Sequence, residues 1–136
     1  MMATLDAQLK CCPIDYTFTI IGKKFTVLIL RNMLNLGQTR FNEFLGSIEG
    51  INTKTLSTRL KDMQKTGLIE RRVFQDETPV RIEYHLTEKG LALKPIFEAM
   101  MNFSMVHFSK DVVKDGRPKT LQQILSDKRD GDRVHN

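Results

Sequence analysis

The sequence has few of the residues that disulfide or metal stabilisation requires. Of 136 residues only two are cysteines, and these, Cys11 and Cys12, are adjacent. Adjacent cysteines cannot build a disulfide framework and are strained if linked to each other, so we expect free thiols in a reducing compartment. His85, His107 and His135 do not stand at zinc-ligand spacing from this pair. We therefore predict no metal site and no cofactor.

Long apolar runs and catalytic motifs are also absent. The longest strongly apolar run, residues 27–30, is far too short to span a membrane. The first residues lack the basic and then apolar pattern of a secretion signal. The sequence has no Gly-rich phosphate loop, no nucleophile elbow and no paired carboxylates in an identifiable cleft. We expect a cytoplasmic protein with no membrane partner and no enzymatic activity.

What the sequence does have is an excess of positive charge. It contains 21 Lys and Arg against 16 Asp and Glu, a formal charge of +5, which favours polyanionic partners. Residues 52–72 hold six basic residues against two acids and so carry most of this excess. In residues 70–83, by contrast, four acids outnumber three basic residues.

Hydrophobic periodicity predicts three helices in the first half of the chain. An apolar stripe from Phe25 to Leu36, followed by Gly37, predicts a helix over roughly 23–35. Spacing of i, i+3, i+4 and i+7 over residues 41–48 predicts a second, short helix. Asn52 is suited to cap a third, which Gly67 would end.

The tight connection between the second and third helices, and the basic surface of the third, are typical of a helix-turn-helix. The predicted buried stripe of the third helix is Leu56, Leu60 and Met63.

A β-hairpin is predicted directly after the third helix. Alternation over residues 80–86 indicates a strand with one wet face, residues 68–75 form its partner, and residues 76–79 are suited to the turn. A hairpin in this position would be the wing of a winged helix-turn-helix. The fold class is therefore mostly α with a small β-hairpin, an α+β fold.

The remainder is predicted as one long helix and an extension. Thr87 would cap the helix and Pro95 would kink it. The apolar residues between Leu91 and Phe108 exceed what a small core needs and favour a dimer interface. Plain core is the alternative, since Met is a common gap-filler. We divide the chain into a DNA-binding domain with its dimerisation helix, 1–110, and an extension, 111–136, with a short helix around 121–125 and a frayed end.

From Cys12 to about Met105 the order of residues resembles the HxlR family of bacterial and archaeal regulators, relatives of the MarR-type winged-helix proteins. The resemblance implies a homodimer held by the N-terminal arm and the last helix, with two recognition helices on a two-fold related site in double-stranded DNA. Phe25 stands where the family usually has Trp, and the hairpin turn is about one residue longer than common versions. The matching stretches are Cys12-Pro13, Ile21-Gly22-Lys23-Lys24-Phe25, Leu28-Ile29-Leu30-Arg31, Arg40-Phe41 with Phe44, Ile51 with Thr55-Leu56-Ser57 and Arg59-Leu60, Gly67-Leu68-Ile69 with Arg71-Arg72, and Pro79-Val80-Arg81-Ile82-Glu83-Tyr84 before Leu86-Thr87 and Gly90.

The predicted DNA contacts lie mainly on the third helix, because residues at the exposed start of a recognition helix reach base edges first. An ordinary amphipathic helix with a solvated basic face, or a helix that docks on a protein, is the alternative. The candidates are Asn52, Thr53, Lys54, Thr55, Ser57 and Thr58 for bases or phosphates, Arg59 and Lys61 for backbone charge, and Arg40, Arg72 and Arg81 outside the helix.

Cys12 is a separate candidate. It matches the cysteine that some members of the family use to sense oxidants or electrophiles, and basic neighbours such as Lys10, Lys23 or Lys24 would favour its thiolate. The alternative is a partly buried structural thiol. The sequence names no small-molecule effector.

Overall fold

The computed structural model describes residues 7–126 and divides them into two units, one ending at Lys94 and one beginning at Pro95. The first unit contains three helices around a core, with a further helix before them and a hairpin and a four-residue helix after them. The second unit consists mainly of one helix, with residues 121–126 helical as well. The elements are α1 (Pro13–Ile21), α2 (Thr26–Leu36), α3 (Phe41–Ser47), α4 (Thr53–Lys65), β1 (Ile69–Phe74), β2 (Arg81–Leu86), α5 (Glu88–Leu91) and α6 (Lys94–Val112).

The core of the first unit lies where α2, α3 and α4 meet. Leu30 of α2, Phe44 of α3 and Leu56 of α4 are completely buried. The stripe predicted for the third helix is confirmed, since Leu60 and Met63 are buried along with Leu56. Burying each such side chain stabilises the fold by about 1.5–3 kcal/mol. The opposite side of α4 is therefore left for solvent or a partner.

The ends of α4 follow local rules. The Asn52 Oδ1 atom accepts a hydrogen bond from the Thr55 backbone N–H at 2.8 Å, which satisfies one of the unpaired donors of the first turn. At the other end Gly67 adopts φ 78°, a left-handed conformation that costs glycine little. Both ends of the third helix are thus as the sequence predicts.

The start of the chain differs from the prediction. The helix predicted over 23–35 begins only at Thr26 and ends at Leu36, and a separate helix, α1, precedes it. Phe25 causes the break, because its φ of 75° lies in the left-handed region and cannot continue a helix. Pro13, the first residue of α1, was the available signal, since proline is favoured at that position.

The hairpin is confirmed, with Ile69 opposite Leu86 and Phe74 opposite Arg81. The prediction of one wet face is wrong, because all six residues of β2 are half-buried. The edge of β2 that does not pair with β1 meets the backbone before α3, where the Tyr84 N–H donates to the Thr39 carbonyl at 2.7 Å. One face of β2 carries the charged side chains of Arg81, Glu83 and His85, which pair with one another.

The prediction of one long helix after Thr87 is also wrong. Thr87 does cap a helix, accepting from the Gly90 N–H at 3.2 Å, but α5 has only four residues. Pro95 does not kink α6; it is the second residue of that helix, where its missing N–H has no intrahelical partner to lose. The irregular residue in α6 is Phe108, with φ −134° and ψ 28°.

The second unit is unusual in how little it buries. No residue of α6 is buried, although Phe103, Val106 and Val112 are apolar. The short helix predicted around 121–125 is present, while the predicted frayed end lies outside the described residues. The domain division predicted at residue 110 stays a prediction. No helix within residues 7–126 is both long and apolar enough to cross a membrane.

Candidate nucleic-acid interface

The exposed face of α4 lies opposite its buried stripe. Thr53 and Lys54 in the first turn are exposed, as are Thr58 and Lys61 further along. Thr58 sits one turn after Lys54 and donates its hydroxyl to the Lys54 carbonyl at 3.0 Å. Asn52 is exposed as well, and Thr55 and Ser57 are half-buried at the border of this face. Helix α4 thus brings seven of the predicted contacts together on one accessible surface.

The lysines of α4 are exposed and stand apart from the acids of the described chain. Within residues 7–126, Lys54, Lys61 and Lys65 lie within 4.0 Å of no carboxylate, and all three are exposed. Among the described residues, no carboxylate within 4.0 Å balances their charges. A phosphate backbone can replace their counterions directly.

Arg59 is directed away from the start of α4. Its Nε atom donates to the Lys24 carbonyl at 2.8 Å, and its Nη1 atom lies 3.7 Å from Asp62 Oδ2. Lys23 Nζ also contacts Asp62 Oδ2, at 3.2 Å. Arg59 thus contacts the turn between α1 and α2, and its predicted role at DNA stays a prediction.

Two of the three arginines of the wing, Arg72 and Arg81, are paired with acids. Arg81 Nη1 lies 2.9 Å from Glu77 Oε1, and Arg81 Nε lies 3.1 Å from Glu83 Oε2 without the alignment of a hydrogen bond. The Arg81 guanidinium also stacks on the Phe74 ring at 4.2 Å from its centroid. On β1, Arg72 Nε donates to Glu70 Oε1 at 2.9 Å.

Glu83 is the centre of the charge cluster on β2. The hydrogen bond from His85 Nε2, at 2.8 Å, lowers the pKa of the Glu83 carboxyl below its ordinary value and outweighs the effect of desolvation. The positive charges of Arg81 and Arg40 lower this pKa further. Arg40 precedes α3, and its backbone N–H donates to Glu43 Oε1 at 2.9 Å while its side chain stays exposed. Of the predicted contacts, Arg40 and Arg81 therefore share one electrostatic environment.

Cys12 is an exposed free thiol, as is Cys11. Cys12 is the residue that precedes the first turn of α1, directly before Pro13. The expectation of free thiols is confirmed, and the alternative of a partly buried Cys12 is wrong.

The sequence interpretation missed two contributors to this region. The first is the Lys23–Lys24 turn, which escaped notice because it was placed inside a helix. The second is the pairing of Arg81 with Glu77 and Glu83. Its signal was present, since residues i and i+2 of a strand lie on the same face, as Arg81, Glu83 and His85 do.

Comparison with known proteins agrees with this geometry. Residues 20–112 match the family described as HxlR-like helix-turn-helix. The HTH-type transcriptional regulator YodB of Bacillus subtilis is 38% identical over 90 residues, which cover 66% of this chain and 79% of YodB. The HTH-type transcriptional regulator sll1512 of Synechocystis is 37% identical over 89 residues, 65% of this chain. That match spans 64% of the relative, slightly less than two thirds of its length.

Solved structures share the fold. The redox regulator HypR in its reduced form is 30% identical with a TM-score of 0.66, over 76% of this chain and 99% of HypR. A transcriptional regulator of the MarR family from Porphyromonas gingivalis is 30% identical with a TM-score of 0.62, over 73% and 95% of the two chains. These relatives are described as transcriptional regulators and not as enzymes. The chain therefore belongs to the HxlR-like helix-turn-helix family of transcriptional regulators.

Proposed function

We propose that this regulator binds double-stranded DNA sequence-specifically in the cytoplasm, as a homodimer, with α4 in the major groove and the hairpin beside it. The observation that supports the proposal is the exposed first half of α4, where Thr53 and Lys54 lie on the face away from the buried stripe. A helix of this kind fits the major groove, and its first residues reach base edges.

The test is a mobility shift on duplexes selected from random DNA, repeated over a range of salt. We expect log affinity to fall linearly with log salt, because bound Lys and Arg release counterions. Lys54→Ala should lower affinity roughly tenfold, since one base or phosphate contact contributes about 1–3 kcal/mol. Lys114→Ala, which removes an exposed lysine of the second unit, is the matched control.

A helix that docks on a protein is the competing function. In that case selection would return no preferred duplex and no salt-dependent complex. An unchanged shift for Lys54→Ala would also contradict the assignment of α4 as the recognition helix.

The homodimer is supported by apolar surface at both ends of the described chain. Phe103 and Val106 of α6 are 58% and 59% exposed, and Ile14 and Phe18 of α1 are 71% and 58% exposed. Exposed apolar residues in such numbers are typical of a protein interface. We expect a dimeric mass by light scattering at micromolar concentration, and a monomeric mass for Phe103→Asp. Val80→Asp, at an equally apolar exposed position of the hairpin, should stay dimeric.

A second function, redox control through Cys12, is supported by the exposure of the thiol and its place before α1. HypR, a structural neighbour, is described as a redox regulator. Peroxide or diamide should change DNA affinity of the wild type and of Cys11→Ser but not of Cys12→Ser. A wild type indifferent to both reagents would remove this function.

A further inference from the structure

The turn between α1 and α2, residues 22–25, is attached to the helix-turn-helix at three points. The Lys24 carbonyl accepts from Arg59 Nε at 2.8 Å, and Lys23 Nζ contacts Asp62 at 3.2 Å. The Phe25 ring lies against Gly50 in the turn before α4, with Cζ 3.9 Å from where a Cβ of Gly50 would stand. Two of these contacts are made by side chains of α4 itself.

The turn that makes these contacts has a defined conformation. The Gly22 N–H donates to the Phe18 carbonyl at 2.7 Å, and the Thr26 N–H donates to the Lys23 carbonyl at 3.0 Å. Thr26 is buried, and Phe25 holds the left-handed conformation that separates α1 from α2. The Lys24 carbonyl is therefore a fixed acceptor, and a side chain bound to it is fixed in turn.

Arg59 differs from the lysines of α4 in its exposure, in its partners and in its direction. Its side chain is only 21% exposed, it has both a carbonyl and a carboxylate as partners, and it points toward the turn. Base readout needs hydrogen-bond geometry held within fractions of an ångström, so a recognition helix must not rotate about its axis. A guanidinium that connects α4 to a neighbouring turn resists such rotation.

We propose that Arg59 is a positioning residue, which holds α4 at the orientation needed for base readout through its bond to the Lys24 carbonyl and does not contact a phosphate. This inference rests on the proposed DNA-binding function. Because the turn begins where α1 ends, the same bond connects α1 to the recognition helix.

Two substitutions separate positioning from phosphate contact. Arg59→Gln removes the charge but leaves an amide nitrogen at the chain position of Nε, so it can still donate to the Lys24 carbonyl. Arg59→Lys keeps the charge but has a methylene at that position. Glutamine and lysine have similar helix propensities, so the stability of α4 changes little in either variant. Positioning predicts that the Gln variant retains affinity and the Lys variant loses it; phosphate contact predicts the reverse.

The measurement is the mobility shift on the selected duplex and on a scrambled duplex, over a range of salt. We expect Arg59→Lys to lose about tenfold on the selected duplex, the effect of one charge-assisted hydrogen bond. We expect little loss on the scrambled one, and a salt slope equal to that of the wild type. The inference would be overturned if the slope of log affinity against log salt became smaller in the Gln variant alone. The decrease would be about 0.9 for each phosphate no longer neutralised. Equal affinity for both variants and the wild type would overturn it as well.

Asp62→Asn provides a second test that leaves Arg59 intact and serves if Arg59→Lys does not fold. Positioning predicts a fall in affinity, since Asp62 holds both Lys23 and Arg59. If Asp62 only repels DNA, its neutralisation raises affinity, and a rise or no change counts against the inference. Absence of any salt-dependent complex for the wild type would instead reject the proposed function, so the two failures are distinguishable.

Discussion

Helix α4 and the wing both carry basic residues, yet the lysines of α4 and two arginines of the wing differ in whether an acid lies beside them. Lys54 and Lys61 on α4 are exposed and, among residues 7–126, lack an acidic partner. Arg72 and Arg81 on the wing each contact a carboxylate, and Arg81 contacts two. The difference shows that a count of basic residues overstates the charge available to an anionic partner, because neighbouring acids already pair with some of these residues.

The contrast has an energetic consequence. Exposed ion pairs contribute only about 0–1 kcal/mol to stability, so the wing pairs are weak as bonds. They still place negative charge beside Arg72 and Arg81, and this charge opposes the approach of a phosphate. We therefore expect Arg72 and Arg81 to contribute less to the proposed DNA binding than Lys54 and Lys61 do. Stability, salt dependence, affinity and pH response each test this difference between the two regions.

The largest expected difference between the two regions is in how much their side chains contribute to the free energy of unfolding. Leu60→Ala removes a buried side chain of α4 and should lower the free energy of unfolding by about 2–5 kcal/mol, because a cavity remains. Val73→Ala on β1, a site 40% exposed, should change it by less than about 1 kcal/mol. Urea unfolding of both variants provides the measurement. Equal losses would mean that the wing is anchored as firmly as α4.

The second difference is in the salt dependence of DNA binding. Lys61→Ala should reduce the slope of log affinity against log salt by about 0.9 for each phosphate that the lysine neutralises, since no acid of the described chain pairs with it. Arg72→Ala should leave the slope unchanged, because Glu70 already compensates its charge. Titrations from low to moderate salt on one duplex decide the matter. A larger change for Arg72→Ala would reverse the comparison.

A third experiment removes the acid instead of the base. Glu77→Gln releases Arg81 Nη1 from its 2.9 Å contact and deletes a negative charge from the wing. We expect DNA affinity to rise by about threefold, the scale of one exposed ion pair. Glu98→Gln, at an exposed acid of α6, controls for net charge and should have a smaller effect. If Glu77→Gln weakens binding, then Glu77 orients Arg81 for contact.

The smallest effect concerns pH. The hydrogen bond from His85 holds the pKa of Glu83 below its ordinary value of 4.5, so the carboxylate form is favoured in the folded chain. Its contribution to stability is present above pH 4.5 and is lost as the pH falls through the lower folded value. Thermal midpoints of the wild type and Glu83→Gln should therefore differ at pH 6 and converge as the pH falls below 4.5. A constant difference across this range would show that Glu83 acts without its charge.

Local patterns predicted much of the fold and the main candidate surface. The cap at Asn52 and the stripe of Leu56, Leu60 and Met63 depend on neighbours within one or two turns, and both are found as predicted. The same holds for the hairpin and its place after the third helix. The family resemblance, carried by short ordered stretches, is confirmed for residues 20–112.

The errors occur where the conformation of one residue or a contact distant in sequence overrides the local pattern. Phe25 continues an apolar stripe, yet its left-handed backbone separates α1 from α2. Thr87 begins a helix that stops after four residues, and Pro95 then lies at the start of a new one. Hydrophobic periodicity shows which positions are apolar. It does not show where a single residue adopts a left-handed backbone conformation.

Helical period and capping are local properties of residues 52–67. The sequence by itself therefore determines that this segment is a helix and that its lysines lie on the exposed face. The bond from Arg59 to the Lys24 carbonyl, 35 residues away, and the sharing of Arg81 between Glu77 and Glu83 became visible only in three dimensions. Hydrogen bonds and ion pairs depend on distance in space, and the folding of the chain sets that distance for residues far apart in sequence.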